Sequence, residues 1–182
     1  MKGSELISSI AVETERLMMV PITIKERALF ERLQTDPAVI ELCFDRPSDA
    51  QLDAKFRSKL VPWQPNQDNW LCLVMTNKES QRAVGITGFS LCEGVAEVGY
   101  LLLPEFHGQH YGSESLQGLI DWAVSEHQIY EYQAVVTQGN IASERVLHKC
   151  GFRLEQVRMD AYQIGSKLYD DHIYRLSFNQ SV

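Results

Sequence analysis

The sequence predicts a mixed α/β fold: a central, mostly antiparallel twisted sheet flanked by helices. The middle of the chain is a series of apolar, strand-like runs that turn back on one another at short polar turns. After Pro104 the apolar spacing changes to the helical period, and strand, helix, strand and helix then lead into a last hairpin. At 182 residues with 45% hydrophobic composition, the chain reads as one domain, residues 1–182, around one sizeable core.

The elements follow in order. Glu15 to Ile22 (ERLMMVPI) reads as a first strand. Thr23 and Glu26 stand at capping-box spacing, so a helix is expected to about Gln34. Ser48 and Gln51 repeat that signal and open a helix to about Leu60, with Pro62 as its stop. Trp70 to Thr76 is a continuous apolar strand, Asn77 to Ser80 a turn, and Arg82 to Leu91 the returning strand. A turn at Glu93-Gly94 leads into Ala96 to Leu103, which Pro104 ends. Ser113 to Glu126 carries Leu116, Leu119, Ile120, Ala123 and Val124 at helical spacing. Tyr130 to Thr137 is a strand; Asn140 caps a helix to about Lys149, closed by Gly151. Strands Arg153 to Ile164 and Lys167 to Phe178 meet at Gly165-Ser166.

Bulk properties narrow the functional classes. A net charge of −7 argues against broad nucleic-acid or anionic-membrane binding, yet allows one anionic ligand held by backbone N–H groups. Cys43, Cys72, Cys92 and Cys150 lack metal-ligand spacing and read as reduced and mostly buried; no metal is predicted. Met1 to Val12 has no long apolar run, and no segment approaches a membrane span, so a soluble cytoplasmic chain is expected. Nucleotide P-loop, dinucleotide, zinc-hydrolase and nucleophile-elbow motifs are absent.

The most informative segment is Pro104 to Ser115 (PEFHGQHYGSES), where a strand ends, a glycine-bearing loop turns and a helix begins. Such a loop directs free backbone N–H groups and the positive end of a helix dipole at one spot, which suits a phosphate or pyrophosphate. Ser113 adds a hydroxyl. An ordinary strand-to-helix turn has the same outline, so the loop alone leaves both readings open.

Its neighbours add to it. Glu97-Val98-Gly99-Tyr100 precedes the loop; Asn140-Ile141-Ala142-Ser143 and Val146-Leu147-His148-Lys149-Cys150-Gly151-Phe152 follow. In this order, with Gly108 and Tyr111-Gly112-Ser113-Glu114 between them, the residues resemble the GNAT acetyltransferases, and their RimJ/RimL branch in particular. The resemblance extends from Glu15 to Phe178. One departure is His110, which stands where the family usually has a second loop glycine. It either tolerates the glycine backbone, contacts phosphate through its imidazole, or weakens the site. The role of His107 is equally open.

The resemblance implies an acetyl-CoA-dependent N-acetyltransferase with acetyl-CoA as co-substrate. The strand ending at Leu103 would splay from Tyr130 to Thr137, and the pantetheine arm would pair with backbone near Leu101 and Leu103. Backbone N–H groups of Gly108, Gln109, His110, Tyr111, Gly112 and Ser113 would hold the pyrophosphate. Asn140 reads as a cap and, by resemblance, a cofactor contact; Ser143 would lie near the sulfur and protonate the leaving thiolate. Lys149 and Arg145 would meet the adenosine phosphates, or simply face solvent. Glu97, alternating onto one face with Gly99, is the candidate base for the amine, against the reading of a solvated strand residue. Tyr100 and Tyr111 read as packing residues. Asp171 would orient the amine or form a polar edge, and Trp63 and Trp70 would line the acceptor pocket, with core packing the default for Trp70. The acceptor implied first is a protein N-terminal amine. A small amine, a non-catalytic acyl-CoA binder, a phosphate-binding domain unrelated to CoA, and a homodimer all stay open.

Overall fold

The computed structural model describes residues 10–179. The expectation for Met1 to Val12 lies outside the described residues except for its last three positions. No helix among the described residues is long and apolar enough to cross a membrane. The elements are β1 (Val12–Glu13), β2 (Leu17–Pro21), α1 (Arg27–Thr35), α2 (Pro37–Ile40), α3 (Asp49–Lys59), β3 (Trp70–Asn77), β4 (Ala83–Cys92), β5 (Val95–Leu102), α4 (Tyr111–His127), β6 (Glu131–Thr137), α5 (Ile141–Lys149), β7 (Arg153–Ile164) and β8 (Lys167–Ser177). The strands form one eight-stranded sheet in the order β1-β2-β3-β4-β5-β6-β8-β7. Every neighbouring pair is antiparallel except β5 with β6.

The local signals act as their chemistry requires. Thr23 and Glu26 form the reciprocal capping box, here opening a 3₁₀ turn that runs into α1, and Ser48 with Gln51 does the same for α3. Asn140 accepts the Ser143 N–H at 3.2 Å and caps α5. The β4–β5 turn uses left-handed Glu93 and Gly94 (φ 50° and 81°), the conformation a tight hairpin needs. The single-turn α2 was not foreseen; Asp36 caps it and Pro37 fills its first position. Helix α3 ends at Lys59, before Pro62.

Strand alternation assigns the two faces. Phe89 pairs with Val98, and Thr87 with Tyr100; Gly88 and Gly99 point the opposite way, with Trp70 and Cys72 of β3. On the first face Phe89 meets Trp63, which packs on Trp122 of α4, and Tyr100 reaches Ser143 of α5. On the second, Trp70 carries the Lys59 ammonium of α3 on its ring, and Phe30 of α1 packs against Phe56 of α3. Helices therefore cover both faces, and the core runs through Leu17, Met19, Leu71, Leu73, Phe89 and Leu116, each almost completely buried.

The feature that positions the site lies in the middle of the sheet. β5 and β6 pair only over Val95↔Glu131, Ala96↔Tyr132 and Glu97↔Gln133, and then diverge. Past that point neither strand completes its ladder with the other, and a groove opens between them.

Candidate functional site

Two cavities lie along this groove. The first, about 300 Å³, sits between β5 and β6 under Trp70, Phe30, Phe44 and Lys59. The second, about 530 Å³, runs from the groove beneath the Gly108 loop and along α5. Leu42, Cys43, Tyr100, Leu101, Asn140 and Ser143 line both, so they mark the junction.

At the loop end, every backbone N–H from Gly108 to Ser113 lacks an acceptor among the described residues, and α4 has no side-chain cap. A run of unspent donors at the start of a long helix fits a pyrophosphate. Gly108 holds φ +73°, and a Cβ placed there would meet nothing within 4 Å, so its surroundings are open to a ligand. His110 holds φ +66° as well. The departure from glycine is thus met by tolerance: histidine takes the left-handed conformation more readily than most side chains, at a cost of about 1 kcal/mol. Its imidazole is turned to Lys149, whose Nζ lies 2.8 Å from Nδ1. His107 is fixed by a 3.0 Å contact between Nε2 and the Leu102 carbonyl. His107, Arg145 and Lys149 all border the second cavity.

The loop is held from behind. Glu114 accepts from Thr14 Oγ1 at 2.6 Å, from the Arg16 N–H at 2.8 Å and from Arg16 Nε at 2.7 Å. Burial opposes its ionisation, but the bonds from Thr14 and Arg16 prevail and hold its carboxyl below the ordinary value. The Arg16 guanidinium also donates to the Gln109 carbonyl and lies 4.2 Å over the Tyr111 ring. Tyr111 is buried, accepts from Asn77 Nδ2 at 2.9 Å and packs edge-on with Phe106. It is therefore a packing residue that offers a ligand only its N–H. Gln109 likewise offers its N–H alone, because its side chain donates to the Glu105 carbonyl. Ser113 Oγ donates to the His110 carbonyl at 3.1 Å. These long-range braces were not read from the sequence, since Thr14, Arg16 and Asn77 belong to no local motif.

At the junction, Tyr100 Oη and Ser143 Oγ are 2.8 Å apart. Burial first, against the favourable Ser143 bond, pushes the Tyr100 phenol far up, so it stays protonated. The two hydroxyls are in hydrogen-bond contact where the two cavities meet, and Tyr100 Oη also lies within donating distance, 3.1 Å, of the Ser143 carbonyl. Asn140 turns its other amide atom to Cys43 Sγ at 3.9 Å.

Several expectations need correction. Leu103 is not at the groove: its N–H donates to Val84 at 2.9 Å and its carbonyl accepts from Phe106. Antiparallel bonding alternates, so Leu101, in register with Ile86, also turns its backbone toward β4, although its side chain lines both cavities. The backbone groups facing the gap belong to Val98, Tyr100 and Leu102. Glu97 lines neither cavity and accepts from Gln133 Nε2 at 3.0 Å, at the last pair before the strands part. Trp63 lines neither of these cavities and is core, against Phe89, Trp122 and His127, whereas Trp70 lines the first cavity. Asp171 pairs with Thr137 and Arg158 outside the cavity lining. The four cysteines are unpaired, and Cys92 is exposed rather than buried. Burial pushes the Cys72 and Cys150 thiols up to about 11, which keeps them unreactive.

Comparison with known proteins agrees with this architecture. A family model described as an acetyltransferase (GNAT) domain matches residues 16–153. The N-acetyltransferase p20 of Bacillus licheniformis, itself uncharacterised, is 24% identical over 90% of this chain and 93% of its own length. Among solved structures, an acetyltransferase of Salmonella typhimurium that modifies the N-terminal serine of ribosomal protein L7/L12 superposes with a TM-score of 0.79. It is 16% identical and covers 93% of this chain and 100% of its own. Spermidine N-acetyltransferase of Vibrio cholerae superposes with a TM-score of 0.77 at 12% identity, over 90% of this chain and 96% of its own. At such identities the superpositions establish the fold.

Proposed function

The chain belongs to the GNAT acetyltransferase family and is an acetyl-CoA-dependent N-acetyltransferase, and from that premise we propose that its acceptor is a protein N-terminal amine, as in the RimJ/RimL branch. The observation that carries the reading is the β5–β6 groove, which joins a loop of unspent N–H donors to the smaller, first cavity through the Tyr100–Ser143 pair. At about 300 Å³ that cavity holds a terminal residue while the rest of a peptide lies outside. The likeness in fold to an enzyme acting on a ribosomal-protein N-terminus supports the same choice.

In this reading the N–H groups of Gly108 to Ser113 hold the pyrophosphate, with Arg145 and Lys149 beside them. Val98 and Tyr100 offer backbone groups to the pantetheine arm, in place of Leu101 and Leu103. Acetyl-CoA supplies an activated acyl carbon and a thiolate leaving group. The chain's own part is to align the amine with that carbon and to keep a proton at hand. The Ser143 hydroxyl, backed by Tyr100, donates it at the junction. A thiol of pKa about 8.5 leaves readily, so this help is worth about tenfold rather than thousands. No carboxylate lines the first cavity among the described residues, so the amine loses its proton to solvent and Glu97 is not its direct base.

The test is incubation with acetyl-CoA and a library of peptides differing at the first residues, read by mass spectrometry. Acetylation should fall on the α-amine and vanish for N-terminally blocked peptides. Transfer only to lysine side chains or to free small amines would sink the proposal.

A further inference from the structure

The first cavity is lined by one formally charged side chain among the described residues, Lys59. Its ammonium rests 4.4 Å above the Trp70 ring, and Trp70 lies against Gly99, where a Cβ would come within 3.2 Å of the indole. One turn earlier on α3, Lys55 sits 4.7 Å over the ring of Phe44, another lining residue. Neither lysine has a carboxylate partner among the described residues, although the neighbouring Asp53 of the same helix is held between Arg27 and Arg57. Asp53 is thus engaged by arginines, while Lys59 lines the cavity as an unneutralised cation and Lys55 stands behind it over the ring of the lining residue Phe44. Burial, with repulsion from Lys55, lowers the Lys59 pKa. Glu97 shares the strand face of Gly99 but stays outside the lining, bonded to Gln133. Acidic side chains stand elsewhere: Asp45 accepts from the Gly165 N–H at 2.7 Å, and Asp45 and Asp171 both bear on Tyr162 of the terminal hairpin.

A cavity with this charge repels a polycation and leaves a cation unpaired unless an anion enters it. We infer that the acceptor carries a carboxylate within a few bonds of its reacting amine, and that Lys59, assisted by Lys55, receives it. The inference rests on the proposed reading of this cavity as the acceptor site. It narrows the substrate class to an acidic residue at the peptide N-terminus, or to a free amino acid through its own carboxylate, and it excludes linear polyamines. Lys59 acts in binding and orientation and takes no part in bond making.

The experiment compares kcat/KM at saturating acetyl-CoA for peptides beginning with Asp or Glu, for their Asn and Gln counterparts, for free amino acids against their carboxamides, and for spermidine. The wild-type protein should prefer the carboxylate form by about tenfold or more, as expected for a hydrogen-bonded ion pair out of bulk water. Lys59→Gln should bring that ratio close to one, Lys59→Arg should keep most of it, and the KM for acetyl-CoA should not move. Calorimetric binding of the N-acetylated acid and amide products makes the same comparison without turnover. Spermidine as the best acceptor, no acid–amide preference in the wild-type protein, or an unchanged ratio in Lys59→Gln would overturn the inference. Free amino acids showing the Lys59-dependent ratio while peptides fail would discard the N-terminal reading and leave this one standing. Peptides acetylated regardless of charge would do the reverse.

Discussion

At the loop end of the groove the unspent donors are backbone N–H groups, in one continuous stretch from Gly108 to Ser113, and side chains such as Glu114 and Tyr111 hold that stretch in place. The first cavity, the proposed acceptor end, is walled mostly by side chains, and they come from α1, α3, β3, β4, β5, β6, the start of α5 and the Leu42–Phe44 segment. The difference explains what each end tolerates. A backbone cradle accepts any residue that can take its dihedral angles, which is why His110 at φ +66° stands where the family has glycine. A cavity assembled from side chains changes its guest whenever one of them changes.

The contrast can be broken at its brace. Glu114→Ala removes three charge-assisted bonds to Thr14 and Arg16 and should cost about 2–3 kcal/mol in urea unfolding, discounted because Arg16 is part-exposed. The pH dependence has a defined sign. Because the folded carboxyl lies below its ordinary value of 4.5, its contribution is complete above that pH and is lost as pH falls through the folded value. Glu114→Gln should therefore flatten the acid limb of the stability profile and leave neutral-to-basic behaviour unchanged in shape; an equally steep acid limb would show that other carboxylates set it.

The cradle itself comes next. Gly108→Val puts a β-branched side chain at φ +73°, which costs about 2 kcal/mol, so acetyl-CoA binding should weaken about thirtyfold while acceptor preference among those amines still acetylated is unchanged. Unweakened binding, measured by calorimetry, would mean the loop is not the phosphate site. At the junction, Ser143→Ala and Tyr100→Phe should each lower kcat about tenfold with little change in the KM for acetyl-CoA, because they act on one proton at 2.8 Å. The double variant should be no slower than either single one if the hydroxyls form a single relay. The smallest effect is expected of Glu97→Gln: kcat within about twofold and an unshifted pH profile, since the side chain lies outside both cavities. A shifted profile would restore Glu97 as the base.

The same contrast decides what could be read in advance. The sheet, α3, α4 and α5 were legible because caps, turns and apolar periods are local, and so was the uncapped run of N–H donors from Gly108 to Ser113, because it lies in one contiguous segment. Strand parity at Leu101 and Leu103 was not, because the direction of each backbone bond depends on the register with β4, visible only through pairs such as Leu103 with Val84. The exchange of Trp63 and Trp70 has the same origin: Trp63, beyond a helix end, finds Phe89 and Trp122 only after the sheet and α4 come together. Short α2 did carry a signal, the cap-and-proline pair Asp36-Pro37, which its four-residue length concealed. Lys59 belongs to no local motif, and its place at the cavity depends on β3 setting Trp70 beneath it.

Whether the Gly108 loop is the cofactor site is tested most directly by calorimetric titration with acetyl-CoA of the wild-type protein and of Gly108→Val, with ATP and NAD as controls. The wild-type protein should bind acetyl-CoA selectively, and the substitution should weaken that binding about thirtyfold. Equal binding of the three ligands, or binding indifferent to Gly108, would contradict that assignment.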